Sequence, residues 1–220
     1  GFGRFGPLCP RKNCAAGGDA MSLLTIAQNL ALNVGMATPT AVVGNSAREW
    51  TEALQFANET GEELSRRVDW GQLRKAGTLT GTGAAVSHAM PADFARLSPG
   101  ICVRSGTNTV RPLTRAEWGA LTAVQGTPRY FLLEGETLAL WPYLANAATV
   151  SVSYQSENWT SANGKTFAAD TETSLIDEAL FTKGLIVRWR RQKGMPYQDE
   201  EAEFEAMLQD LAASNDRSRL

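Results

Sequence analysis

Residues 165–197 read KTFAADTETSLIDEALFTKGLIVRWRRQKGMPY. The spacing predicts an extended lead-in, an abrupt helix start, an amphipathic helix with a basic end, and a break at Gly194-Met195-Pro196. Ser174 followed three residues later by Asp177 reads as a capping box, each side chain satisfying an amide the first turn leaves open. Leu175, Ile176, Ala179, Leu180, Ile186 and Val187 recur at helical spacing and predict a core-facing stripe. Arg188, Arg190, Arg191 and Lys193 crowd the last turns, where positive charge offsets the negative end of the helix dipole. Gly194 suits the left-handed residue that closes a helix, and Pro196 forbids continuation. No residue pattern here belongs to catalysis. The stretch reads as a structural joint.

Beyond the joint, residues 198–213 predict a final helix with Phe204, Met207, Leu208 and Leu211 on one apolar face. Its first half is acidic (Asp199, Glu200, Glu201, Glu203, Glu205), which suits the positive end of the dipole. Residues 214–220 (SNDRSRL) lack apolar periodicity and read as a mobile tail.

Before the joint, residues 77–154 shift toward a period of two. Residues 78–82 alternate. MPADFARL (90–97) reads as a turn feeding a short strand. Residues 101–104 and 109–111 form a hairpin pattern across Ser105-Gly106. Thr114 and Glu117 frame a short helical insert with a capping box. Residues 130–133 and 137–141 flank Glu134-Gly135-Glu136, a hairpin signal. Residues 149–154 close the region, with Val150, Val152 and Tyr154 on one face. Further back, a helix starts near Met21 and fades at Gly35. A longer one starts at Asn45 or Ser46, with Glu49 completing a box, and continues through Trp50, Leu54, Ala57, Leu64 and Val68. Gly61 interrupts it at a cost of about 1 kcal/mol relative to Ala, which a kink or a tight helix–helix contact would explain.

The predicted fold is therefore α+β: a helical bundle, built from N- and C-terminal helices, with a small antiparallel β domain inserted. The predicted divisions are an irregular arm over 1–20, N-terminal helices over 21–75, the β domain with its helical insert over 76–160, C-terminal helices over 161–214 packing on 21–75, and a flexible tail over 215–220. Residues 1–20 are rich in Gly, Pro and Arg without periodicity. They read as an irregular arm or as translation from an upstream start.

Composition narrows the function classes. The chain has 220 residues, 43% of them hydrophobic, and a formal net charge of −2. A core is affordable, and no global pull toward nucleic acid or anionic membrane follows. No apolar run is long enough to span a bilayer. Three cysteines (Cys9, Cys14, Cys102) are too few and too uneven for a disulfide scaffold. CPRKNC lacks the further ligands a zinc site needs. A single histidine, His88, excludes a His-rich metal centre. Neither cofactor nor metal is expected.

The motifs that suggest chemistry each have a plainer reading. RWRRQK (188–193) has the composition of a nucleic-acid patch, but the acidic run at 199–205 can pair with it across the turn. Ion pairing, a protein interface and DNA contact remain open, in that order. TGTGAA (80–85) lacks the Lys-Ser/Thr ending of a phosphate loop and the helix of a dinucleotide site. Ser87, His88 and Asp93 are close in sequence, but adjacent strand residues face opposite ways. Glu62/Glu63 and Glu134/Glu136 read as a solvated helix face and a hairpin tip. The tryptophans (50, 70, 118, 141, 159, 189) would suit a glycan platform, yet their scatter favours core and interface anchors.

Taken in order, AREWTEALQFANETGEELSRRVDWGQLRK, MPADFARL, YFLLEGETLALWP, SVSYQSENWT and FAADTETSLIDEALFTKGLIVRWRRQKGMPY resemble the head-to-tail adaptor proteins of tailed bacteriophages. The resemblance runs from about Met21 to about Ser214. Its most specific pieces are GEELSRRVDW, FAADTETSLIDE and GLIVRWRRQKGMPY. It implies a non-enzymatic virion protein at the head–tail interface, assembled in the host cytoplasm. It implies a homo-oligomeric ring, typically of twelve copies, bound to the portal protein, docking tail tube or nozzle proteins and passing genomic DNA, with no membrane partner. In such adaptors a C-terminal segment grips the portal. The candidate contact residues here are Arg188, Arg190, Arg191, Phe204, Met207, Asn215, Arg217, Arg219 and Leu220. Another tail-completion or nozzle protein, or a nucleic-acid or glycan-binding module, is the alternative.

Overall fold

The computed structural model describes residues 21–217, the last two by backbone alone. The 1–20 arm, with CPRKNC, and residues 218–220 lie outside the described residues. Two helices lead: α1 (Leu23–Val34) and α2 (Arg48–Arg67). A 3-10 turn, Gly71–Leu73, opens the β region. Its strands are β1 (Arg74–Thr80), β2 (Ser87–Ala89), β3 (Phe94–Leu97), β4 (Val103–Ser105), β5 (Asn108–Thr109), β6 (Arg111–Pro112), β7 (Tyr130–Glu134), β8 (Thr137–Trp141) and β9 (Thr149–Ser156), with α3 (Arg115–Gly119) between β6 and β7. The chain closes with α4 (Glu178–Gln192) and α5 (Gln198–Arg217). The α+β architecture with helices at both ends is the one the sequence predicted.

The β region is two sheets. In one, β9 pairs with β1 along one side and with β4 and β3 along the other, and β5 extends β4. The second runs β2-β8-β7-β6. Their inner faces share one core: Leu79, Val103, Val150 and Val152 from the first sheet meet Phe131, Leu138 and Leu140 from the second. The alternation read at Val150, Val152 and Tyr154 is observed, all three being buried. The hairpins differ from expectation at one place. Arg111 leaves the β4–β5 hairpin and pairs with Tyr130, making β6–β7 a parallel pair. Buried Val110 causes this: its amide donates to Val103 in the first sheet, while that of Arg111 donates to Arg129 in the second. The chain changes sheets at one residue, so the β region is not purely antiparallel.

The helices bury a second core around α4, which packs against α1, α2 and α5. Phe181 of α4 joins Trp159 and Phe167 in an aromatic triangle with centroids 4.9–5.7 Å apart. Burying one such ring stabilises a fold by about 1.5–3 kcal/mol. Close approach is made possible by glycine: a β-carbon on Gly184 would lie 2.9 Å from the Phe204 ring and 3.0 Å from Thr60. Gly61 serves the same end, but its neighbour is the Trp159 indole rather than another helix.

Helix starts are where the sequence reading needs correction. The Ser174–Asp177 box does not form. Ser174 bridges Thr160, the Leu175 amide donates to Trp159, and the Ser174 hydroxyl accepts from Ile176 at 3.1 Å, so the backbone stays extended. Asp177 is itself the cap, accepting from Leu180 at 2.9 Å. Leu175 and Ala179 are consequently exposed, and the buried stripe starts from Ile176 and Leu180. At α2, Asn45 spends its side-chain oxygen on Ala47, so Ala47 starts the helix without a side-chain cap. The expected boxes are replaced at both starts because the polar side chain turns the loop first. The box at Thr114 and Glu117 is present. The basic helix ends as read: Gly194 takes φ of 67° and the Met195 amide returns to the Arg190 carbonyl at 2.9 Å.

Candidate functional site

The C-terminal helix pair carries most of the residues expected to touch a partner. Arg188 reaches across to α2, placing its guanidinium 2.8 Å from Glu59 and 2.6 Å from Glu63. Arg190 meets Glu200 at 2.6 Å across the Gly-Met-Pro turn. Arg191 lies 3.7 Å from Glu201 and 5.3 Å over the Tyr197 ring. Lys193 pairs with Glu52 and stacks over Trp189. The basic run is thus neutralised by carboxylates of the same chain, which is the ion-paired reading of RWRRQK. Arg190 and Arg191 bridge α4 to α5, while Arg188 and Lys193 tie the end of α4 to α2, each pair contributing little by itself in water.

Phe204 is buried between α4 and α2, with Arg67 over its ring at 5.9 Å. Met207 is half-buried against the helical core. Asn215 accepts from the Gly71 amide at 3.1 Å and donates to the Asp69 carbonyl at 2.5 Å. The tail expected from 214 onward is therefore helical as far as Arg217. No Gly or Pro stops the helix, and the Asn215 contacts hold its last turn. Arg217 is the final residue of α5, while Arg219 and Leu220 lie outside the described residues.

The lead-in to α4 is a clamp, a role its sequence did not announce. Asp170, within FAADTETSLIDE, accepts from the amides of Val42 and Val43 at 3.1 and 2.8 Å. Asn58 accepts from the Phe167 amide at 2.8 Å. The motif ties the α1–α2 loop and α2 to the exit of β9.

A second set of charges joins the two cores. Arg96 on β3 donates to Asp69 at 2.7 Å and to the Ser65 and Val68 carbonyls, which are last-turn acceptors that α2 leaves open. Asp93 accepts from Lys75 at 2.6 Å, Ser156 at 2.7 Å and Tyr154 at 2.8 Å. Burial alone would raise the Asp93 carboxyl, but these three donors outweigh it and hold it down at about 2. Burial, then the bond to Asp93, pushes Tyr154 up to about 12. Asp93 therefore serves this network and not His88. His88 and Ser87 alternate on β2, and burial pushes the imidazole pKa down from its ordinary value. The beside-lying cleft, about 540 Å³, is lined by Glu62, Ser65, Phe94, Arg96, Glu157 and Trp159. Its charges are paired, Arg66 with Glu62 and Lys165 with Glu157.

The remaining motifs resolve into packing. In TGTGAA, a β-carbon on Gly81 would fall 2.3 Å from the Ala145 carbonyl, so the glycine admits a neighbouring backbone. Trp50, Trp70, Trp159 and Trp189 are buried, and only Trp118 and Trp141 retain partial exposure. Among the described residues no group of His, Cys, Asp and Glu converges as a metal site, and no helix is long and apolar enough to cross a membrane.

A clamp motif, a helical pair fixed by ion pairs and an inserted double sheet span the same residues that one family describes: the model of the SU10 adaptor protein family matches residues 21–220. The chain belongs to the SU10 adaptor protein family. This is a family of phage head-to-tail adaptors, structural proteins of the virion. Among curated proteins, none matches the chain. The adaptor match includes the residues after Arg217 and stops short of the 1–20 arm.

Proposed function

We propose that this adaptor is a ring-forming subunit that sits beneath the portal, extends the DNA channel and offers the surface on which tail tube or nozzle proteins dock. The observation that carries the reading is the family match over residues 21–220. The ring is proposed to hold twelve copies and to assemble in the host cytoplasm before joining the virion. The portal contact is placed at the end of α5 and the residues after it, Asn215, Arg217, Arg219 and Leu220, with Met207 and the outer sides of Arg190 and Arg191 on the same helix pair. In this reading the ion pairs at the α4–α5 turn aim α5, and Asn215 sets where its end emerges. Phe204 contributes through the core behind that surface.

Co-sedimentation with purified portal rings, followed by electron microscopy of the pellet, tests the reading. A ring of the adaptor seated on the portal is the expected result. A protein that stays monomeric and leaves the portal bare at high concentration refutes it.

A further inference from the structure

Among the described residues the cations of α4 are paired by carboxylates of their own chain, whereas one part of the β half lacks such partners. Residues 94–133 contain five arginines (96, 104, 111, 115, 129) and a single acid, Glu117. Arg96 is held by Asp69 and Arg115 by Glu134, and Glu117 is occupied by the Thr114 cap. Arg104, Arg111 and Arg129 have no ion pair among the described residues. Arg111 and Arg129 line one cleft, and Arg104 stands on a strand beside it. The cleft has a volume of about 600 Å³, with Asn108, Thr109, Thr127 and Tyr130 completing a polar wall. Arg104 sits on β4 directly opposite Thr109 of that wall. Arg111 and Tyr130 are register partners on adjacent strands, and the Arg111 amide donates to Arg129 at 2.8 Å. The nearest acid on this strand, Glu134, lies at its far end, about 13 Å from Tyr130 at strand rise.

We propose that this cleft, at the point where the chain crosses between sheets, binds the phosphate backbone of duplex DNA. Planar guanidinium groups with hydroxyl and amide donors around them match phosphate oxygens. No acid lines the cleft to repel the ligand. A carboxylate surface on a second copy is less well supplied, because most acids of α2 and α5 are already held by cations of their own chain. Contacts of this type position DNA without reading its sequence, and three per subunit hold it weakly enough to let it move. The choice of DNA over another polyanion rests on the adaptor reading.

The test is fluorescence anisotropy of a labelled duplex against the full chain, from about 50 to 200 mM salt. Wild type is expected to bind with a log–log salt slope near −2.7 per engaged subunit, about −0.9 for each of three contacts. Arg111→Gln with Arg129→Gln should cut the slope by about 1.8 and weaken binding equally for unrelated duplex sequences. Arg48→Gln, an exposed charge on α2, is the matched control and should change nothing. Absence of binding at low salt overturns the proposal, as does a slope that the double variant leaves intact. Lost self-association with unaltered DNA binding would also overturn it, by making the cleft a contact between copies. Portal co-sedimentation of the same variants separates the two readings. Portal binding without DNA binding defeats only the cleft, and DNA binding without portal binding defeats only the adaptor role.

Discussion

The Trp159 indole lies directly against Gly61, so that a β-carbon at position 61 would fall 2.3 Å from the ring. Trp159 is fully buried just beyond the last strand, and Gly61 is in the middle of α2. One contact therefore joins the exit of the β region to the first long helix. The helix-propensity penalty of glycine is outweighed by what its missing side chain admits. Gly61→Ala is expected to destabilise the protein by about 2 kcal/mol through overpacking, despite alanine being the better helix former, or by about 6 °C in Tm. Thermal denaturation reads this directly. An unchanged or raised Tm would show that the indole can move aside.

Asp93 predicts an acid limb. Its folded pKa of about 2 lies below the ordinary 3.8, so the carboxylate form is favoured by folding. That stabilisation is complete above about pH 4 and is lost as pH falls through 2, amounting to about 2 kcal/mol. Asp93→Asn should be less stable than wild type at neutral pH and converge with it near pH 2. Denaturant melts at several pH values check it, and parallel curves at every pH would contradict the assignment.

Asn215 divides the C-terminus into two functions. Asn215→Ala removes two hydrogen bonds to the 69–71 turn and should cost about 1 kcal/mol, with faster amide exchange over residues 211–217. Removing 218–220 should leave stability unchanged while reducing portal co-sedimentation. A truncation that spares portal binding would place the contact elsewhere.

Arg188 and Arg191 should separate by partner. Arg188→Gln leaves Glu59 and Glu63 facing each other without their shared cation, and should lower stability by about 1 kcal/mol, less at high salt. Arg191→Ala, at an exposed pair 3.7 Å long, should leave stability close to wild type. Equal losses at the two positions in a melt at low salt would refute the distinction.

Local chemistry was legible in the sequence. The end of α4 at Gly194, the box at Thr114, the alternation in β9 and the β7–β8 hairpin all depend on neighbours a few residues away, and they occur where the pattern put them. The acid-poor run over 94–133 was equally open to reading, but its charges mean little until their partners are known.

The period and turn chemistry of short segments set the order of the helices and of most strands, most of the apolar faces and the balance of charge. Which polar groups are spent was settled by packing between distant segments. Ser174 and Asn45 could each have capped a helix, and lost that role to contacts with their surroundings. Asp170 and Asp93 found partners 127 and 18 to 63 residues away. The basic run on α4 was cancelled by α2 and α5, while Arg111 and Arg129 of the β region were brought to one cleft with no ion pair among the described residues. Pairing over such distances depends on how the sheets and helices pack, and no local pattern encodes it.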